Sequence, residues 1–232
     1  MKDVTVVITA CGRTDLLEYT LESFFKYNTY PISKMIIVED SGKPQDFSKC
    51  KSYITCPVEF IINETNLGQM KSIDKAYAKV ETDYIFHCEE DWLFLHSGFI
   101  EKSFEILDYD PKIFTVWLRS YHEKKIGPAV DKSKKVELPS GGYFHYITVN
   151  EGKPWQCGFT LNPGLRRTKD CMLLHPYNDL DVLFPKTVNL VGERDLAVHY
   201  KEKGFRGAIT DNEYGYIEHI GGKRHVTLPW EM

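Results

Sequence analysis

Residues 66–91 read NLGQMKSIDKAYAKVETDYIFHCEED. Met70, Ile73, Tyr77 and Val80 recur at helical spacing, which predicts a helix with one buried stripe. Residues 84–88 (YIFHC) then form a short apolar run without alternation, the pattern of a strand buried on both faces. Three acids, Glu89, Glu90 and Asp91, close it. A helix feeding a doubly buried strand is half of a βαβ unit, and the flanking sequence repeats it. Residues 4–9 (VTVVIT), 35–39 (MIIVE) and 58–62 (VEFII) are strands of the same kind. Leu17, Leu21, Phe24 and Phe25 mark the helix between the first two, with Asp15 and Glu18 as a capping box. Phe99, Ile100, Phe104 and Leu107 mark another, capped by Ser97 and stopped before Pro111. This order predicts an α/β fold: a mostly parallel central sheet flanked by helices, an α/β/α sandwich.

Further on the signals thin out. Residues 113–118 and 143–149 read as strands, and 193–203 as a helix ended by Gly204. Residues 123–137, rich in lysine, read as a solvated loop. No repeat or linker divides the chain, so residues 1–232 are expected to form one domain. The net charge of -4 does not point to nucleic-acid binding, which would need a basic face. None of the six cysteines forms a Cys-x-x-Cys pair, which argues against structural zinc and for free thiols in a reducing compartment. No run is long enough to cross a bilayer, and the chain opens directly into a strand. A cytoplasmic location is expected, with peripheral membrane contact compatible.

In open parallel sheets ligands bind beyond the carboxyl ends of the strands. Glu39-Asp40 follow the second strand and Glu89-Glu90-Asp91 the fourth. Three adjacent carboxylates repel one another unless a counter-charge is present. A divalent ion carried with a diphosphate would remove that repulsion, and hard oxygen donors suit Mg²⁺ or Mn²⁺. A solvated acidic turn is the plainer alternative, as an ordinary turn is for Asp40-Ser41-Gly42.

Four stretches together resemble glycosyltransferase family 2, of the GT-A (Rossmann-like) fold. They are VTVVITACGRTDLLEYTLESFF, IIVEDSG, the stretch 66–91 quoted above, and GERDLAVHYKEKGF. The resemblance implies a nucleotide-sugar-binding half at 1–110 and an acceptor-binding half at 111–232. It implies a UDP-sugar donor, a saccharide or glycolipid acceptor, a Mn²⁺ or Mg²⁺ cofactor and a role in carbohydrate biosynthesis. Thr9, Ala10, Gly12 and Arg13 would hold the nucleoside and phosphate, with Glu39 near the ribose and Asp40 on the base. Asn66, Gly68 and Lys71 would meet the donor at a helix N-terminus. Glu89-Glu90-Asp91 stands where the family has Asp-x-Asp, so Asp91 would bind metal, with Glu89 on metal or ribose and Glu90 beside the donor. His219 would be a further metal ligand, with His225 as second choice, and Lys223 and Arg224 would cover the diphosphate.

An acceptor hydroxyl needs a general base. The resemblance places Glu193 there and Asp195 second, although acids are favoured at any helix N-terminus. Trp155 and Gly158 would contact the acceptor, and Arg166 and Arg167 are expected to meet phosphate or be solvated. Two other classes compete: a nucleotidyltransferase, against which CGRTD is too poor in glycine, and a binding module without turnover.

Overall fold

The computed structural model describes residues 2–123, 130–148, 157–184, 190–211 and 213–222. Its central sheet has the order β3-β2-β1-β4-β9. Strands β1 (Val4–Ala10), β2 (Lys34–Glu39), β3 (Val58–Ile62) and β4 (Tyr84–Glu89) run parallel. Strand β9 (Gly164–Arg167) closes the β4 edge antiparallel.

Alternation along β1 shows why its sequence has no polar face. Val4, Val6, Ile8 and Ala10 pack with Leu17, Leu21 and Phe24 of α1 (Thr14–Tyr27) and with Ile100 and Leu107 of α4 (Phe99–Tyr109). Val7 points the other way, to Ile73 and Ala76 of α3 (Gln69–Tyr77) and Leu196 of α6 (Glu193–Glu202). Both faces are therefore covered over β1, as a parallel sheet requires; the expected burial of 58–62 is corrected, because β3 lies at the sheet edge with Val58 and Ile62 exposed. Two shorter helices, α2 (Ser48–Tyr53) and α5 (Thr168–Met172), complete the set.

A second sheet, ordered β6-β10-β8-β7, takes up the later strands. Strand β6 (Ile113–Trp117) pairs parallel with β10 (Arg206–Thr210), which pairs antiparallel with β8 (Tyr143–Ile147). The expected loop at 123–137 is corrected in part: residues 130–137 form β7 (Val130–Glu137), paired with β8. It is an edge strand, where lysines discourage further pairing, so its charge mimics a loop. Strand β5 (Trp92–Phe94) pairs antiparallel with β11 (Ile217–His219), setting His219 opposite Trp92.

Both expected caps are corrected. Helix α1 begins at Thr14, with Arg13 as N-cap and no side-chain cap bond. Helix α4 is entered through Gly98 at φ 90°, a left-handed turn that glycine adopts without strain, so Ser97 lies outside the cap. Arg166 and Arg167 are also corrected, being neither solvated nor on the cavity wall described below. They are 0% and 7% exposed, and Arg167 is tied to Asp170 and to the carbonyls of Leu107 and Ile113.

Candidate functional site

A cavity of about 660 Å³ opens at the carboxyl ends of β1, β2 and β4, beside the N-termini of α3 and α6. Register explains the meeting of the acids: Ala10 lies opposite Glu39 and Thr9 opposite Glu89. Thr9, Ala10, Arg13, Asp40, Asn66, Gly68 and Lys71 all line the cavity.

Gly12 and Glu39 do not line it. Glu39 is fully buried, and its Oε1 accepts the N–H groups of Gly12 at 2.9 Å and Ser41 at 2.7 Å. It braces the two turns behind the wall instead of facing a ribose. Asp40 also does structural work. Its Oδ1 accepts from Leu67 N at 2.8 Å and Asn63 Nδ2 at 2.7 Å, and its Oδ2 from Gly68 N at 2.8 Å. The turn before α3 is thus bolted to the end of β2, which puts Asn66 and Gly68 on the wall.

The acids at the end of β4 have a counter-charge within the protein, beside the divalent ion expected to supply it. Arg13 Nε and Nη2 each meet Glu90 Oε1 at 2.8 Å, and Nη1 meets Asp91 Oδ2 at 2.9 Å. Glu90 is 3% exposed and also takes Cys11 N–H, so it is a buried anchor. Burial raises its carboxyl above the ordinary range, against the opposing pull of Arg13. Among the described residues, the Glu89 carboxylate has only neutral hydrogen-bond partners, Gln69 Nε2 at 2.8 Å and Trp92 Nε1 at 3.3 Å. Burial first, then the charges of Asp91, Glu193 and Glu90, push its carboxyl up to about 8.

For a divalent ion the described residues offer an open donor set. Asp91 Oδ2 and His219 Nε2 lie 3.2 Å apart and both residues line the cavity. Neighbouring ligands of an octahedral ion at ~2.1 Å are themselves ~3 Å apart, so the pair fits. The β5–β11 ladder and the Ile220 N–H bond to Asp91 O at 2.9 Å hold the two together. Among the described residues no three His, Cys, Asp or Glu side chains converge as in a closed centre. Such a site suits an ion that shares its coordination with a phosphate ligand.

Glu193 is the first residue of α6 and lines the cavity, with Oε1 accepting Leu161 N–H at 3.1 Å. Asp195 borders it too but is committed elsewhere. Its carboxylate accepts the N–H groups of Leu183 at 2.6 Å, Phe184 at 2.9 Å and Gly192 at 2.7 Å. At 2% exposure with three backbone donors, its carboxylate caps the helix. Gly158 is corrected as an acceptor contact. It sits at φ 94°, and a side chain there would come within 2.5 Å of Gly207 Cα, so it serves a close backbone crossing away from the cavity. Trp155, Lys223, Arg224 and His225 lie outside the described residues.

The sequence model of Glycosyl transferase family 2 matches residues 5–168. The chain belongs to this family. No curated protein matches it by sequence. Among solved structures, S. aureus TarS 1-349 in complex with UDP-GlcNAc is similar with a TM-score of 0.63 at 14% identity, covering 97% of this chain and 62% of that one. The mannosyltransferase PcManGT from Pyrobaculum calidifontis, in complex with GDP-Man and Mn²⁺, gives 0.60 at 14% identity, covering 93% and 61%. The family 2 chain thus spans about three fifths of each of those structures. The likeness shows the GT-A fold with its parallel sheet and flanking helices.

Sequence reasoning missed part of this family 2 cavity. Gln69, Asn178 and Val191 line it without having been expected there. Gln69 carried a signal, since it follows Gly68 at the helix start. Asn178 carried none: it arrives through a short 3₁₀ turn, Tyr177–Asp179, bound to Asp74 of α3 across 104 residues.

Proposed function

We propose that this chain is an inverting glycosyltransferase that moves a sugar from a UDP-sugar to a saccharide or glycolipid hydroxyl. What supports the reading is one observation above all. A single cavity is lined by Asp40 and Asn66, by Glu89, Asp91 and His219, and by Glu193. Those are the three parts such a transfer needs: a nucleoside pocket, a site of charge at the diphosphate, and a carboxylate for the acceptor. Neighbours of the same fold were solved with UDP-GlcNAc and with GDP-Man plus Mn²⁺. The glutamate-rich Glu89-Glu90-Asp91 favours UDP by its resemblance to N-acetylglucosaminyltransferases.

In this reading Asp40 accepts an N–H of the base, while Thr9, Ala10, Asn66, Gly68 and Lys71 contact the rest of the donor. Asp91 and His219 hold Mn²⁺ or Mg²⁺, with Glu89 beside them. The bound ion supplies positive charge to the departing diphosphate. Glu193 takes the proton of the attacking hydroxyl, its carboxylate steadied by Leu161 N–H. Residues 1–232 act as one domain in the cytoplasm, with the donor half at 1–110 and the acceptor half at 111–232. Trp155 is retained as an acceptor contact.

The test is calorimetry with UDP and Mn²⁺ together with UDP-sugar hydrolysis by the wild type, Asp91→Asn and Glu193→Gln. Glu193→Gln is expected to lower turnover ~10²- to 10⁴-fold while UDP affinity stays within about twofold. Full turnover in Glu193→Gln would remove the base assignment. Absence of UDP binding with Mn²⁺ in the folded protein would remove the donor class.

A further inference from the structure

Arg166 is fully buried on β9, yet among the described residues its titratable neighbours are groups that stay neutral, the phenols of Tyr77 and Tyr177 and the thiol of Cys171. A guanidinium buried without an anion is costly, and a residue kept there against that cost does something an aliphatic one could not. Its Nη2 donates to Thr160 O at 2.6 Å and, more loosely, to Asn162 O at 3.4 Å. Its Nη1 donates to Tyr77 Oη at 3.0 Å, and Tyr77 Oη meets His87 Nδ1 at 3.1 Å. The rings of Phe114 and Phe159 lie 5.8 and 5.9 Å from the guanidinium carbon.

The carbonyl of Thr160 and the N–H of Leu161 belong to one peptide group. That group is planar and trans, so its two ends point in opposite directions. Arg166 holds the carbonyl end, and Glu193 Oε1 accepts the N–H end at 3.1 Å. We propose that Arg166 is a positioning residue for the transfer, orienting the Thr160–Leu161 peptide so that its N–H fixes the Glu193 carboxylate. The inference rests on Glu193 being the base. A cation on the carbonyl also polarises the peptide and strengthens the bond its N–H makes, since hydrogen bonds in a chain reinforce one another. Sequence alone conceals this relay, because Arg166 touches neither Glu193 nor the cavity.

A double-mutant cycle tests it, with Arg166→Met, Arg166→Lys and Glu193→Gln, read by UDP-sugar hydrolysis, donor KM, UDP calorimetry and melting temperature. Arg166→Met is expected to lower kcat about tenfold with donor KM and UDP affinity unchanged, the scale of one charge-assisted hydrogen bond. Arg166→Lys, which keeps an N–H donor at the end of a long side chain, should recover part of that loss. In the Glu193→Gln background Arg166→Met should lower kcat no further. An equal loss in both backgrounds, or a folded Arg166→Met with wild-type kcat, overturns the positioning role. If Arg166→Met does not fold, Arg166→Lys carries the same cycle, and an equal effect in both backgrounds again overturns it. Wild-type turnover in Glu193→Gln would instead strike the base assignment, so the two failures are told apart.

Discussion

Replacing Glu89 with glutamine should flatten the fall of stability with rising pH between about 4.5 and 8. The folded protein holds a proton on Glu89 up to about pH 8, whereas the unfolded chain releases it near 4.5. Between those values the folded state binds the extra proton, so this contribution is fully present below 4.5 and is lost as pH rises through 8. One proton corresponds to about 1.4 kcal/mol per pH unit at full difference. His87, which burial holds neutral in the fold, acts in the opposite sense as the unfolded chain gains a proton around 6.5, but equally in wild type and variant. The difference between the two proteins from about pH 6.5 to 7.5 therefore isolates Glu89. Urea unfolding there should show wild-type stability falling by about 1 kcal/mol more than Glu89→Gln, or about 2–4 °C in Tm for a chain of this length. Lost bonds to Gln69 and Trp92 shift the variant by a constant and leave the slope alone. Identical slopes would refute the placement of a protonated Glu89 beside Asp91 and Glu193.

Arg13→Gln strands Glu90 and Asp91, which are 3% and 5% exposed, without their cation. Stability should drop by about 3 kcal/mol or more, and Mn²⁺ should restore part of it in a thermal melt. Asp195→Ala leaves three backbone N–H groups at the start of α6 and its neighbouring loop without an acceptor. A loss of about 3 kcal/mol or more is expected in the urea midpoint, smaller for Asp195→Asn, which keeps one carbonyl oxygen. Gly158→Ala should lower stability by about 2 kcal/mol or more while UDP binding survives in the folded fraction, because the clash is with Gly207 and not with the cavity.

The N-terminal half was legible because its signals are local. Strands β1, β2 and β4 carry largely apolar, β-branched or aromatic runs without polar alternation, and Leu17, Leu21, Ile73 and Tyr77 repeat with the helical period. That pattern alone implied a covered parallel sheet with acids beyond its strand ends. Periodicity fails for β9 and β11, which have four and three residues, and for β7, whose edge position favours lysine.

Sequence could say that acids stand at 89–91 and at 193 and 195, but not what each one touches. Arg13 neutralises Glu90 across 77 residues, and His219 reaches Asp91 across 128. Those contacts exist because β1 lies beside β4 and β11 beside β5. The pairing is chosen by the whole core, since β1, β2 and β4 have similar buried patterns. The same holds for Glu193 and Asp195. Both sit in the first turn of α6, and the helix period makes either equally suited to a cap or a base. Only the approach of residues 183–184 to one carboxylate, and of the Thr160–Leu161 peptide to the other, tells their surroundings apart.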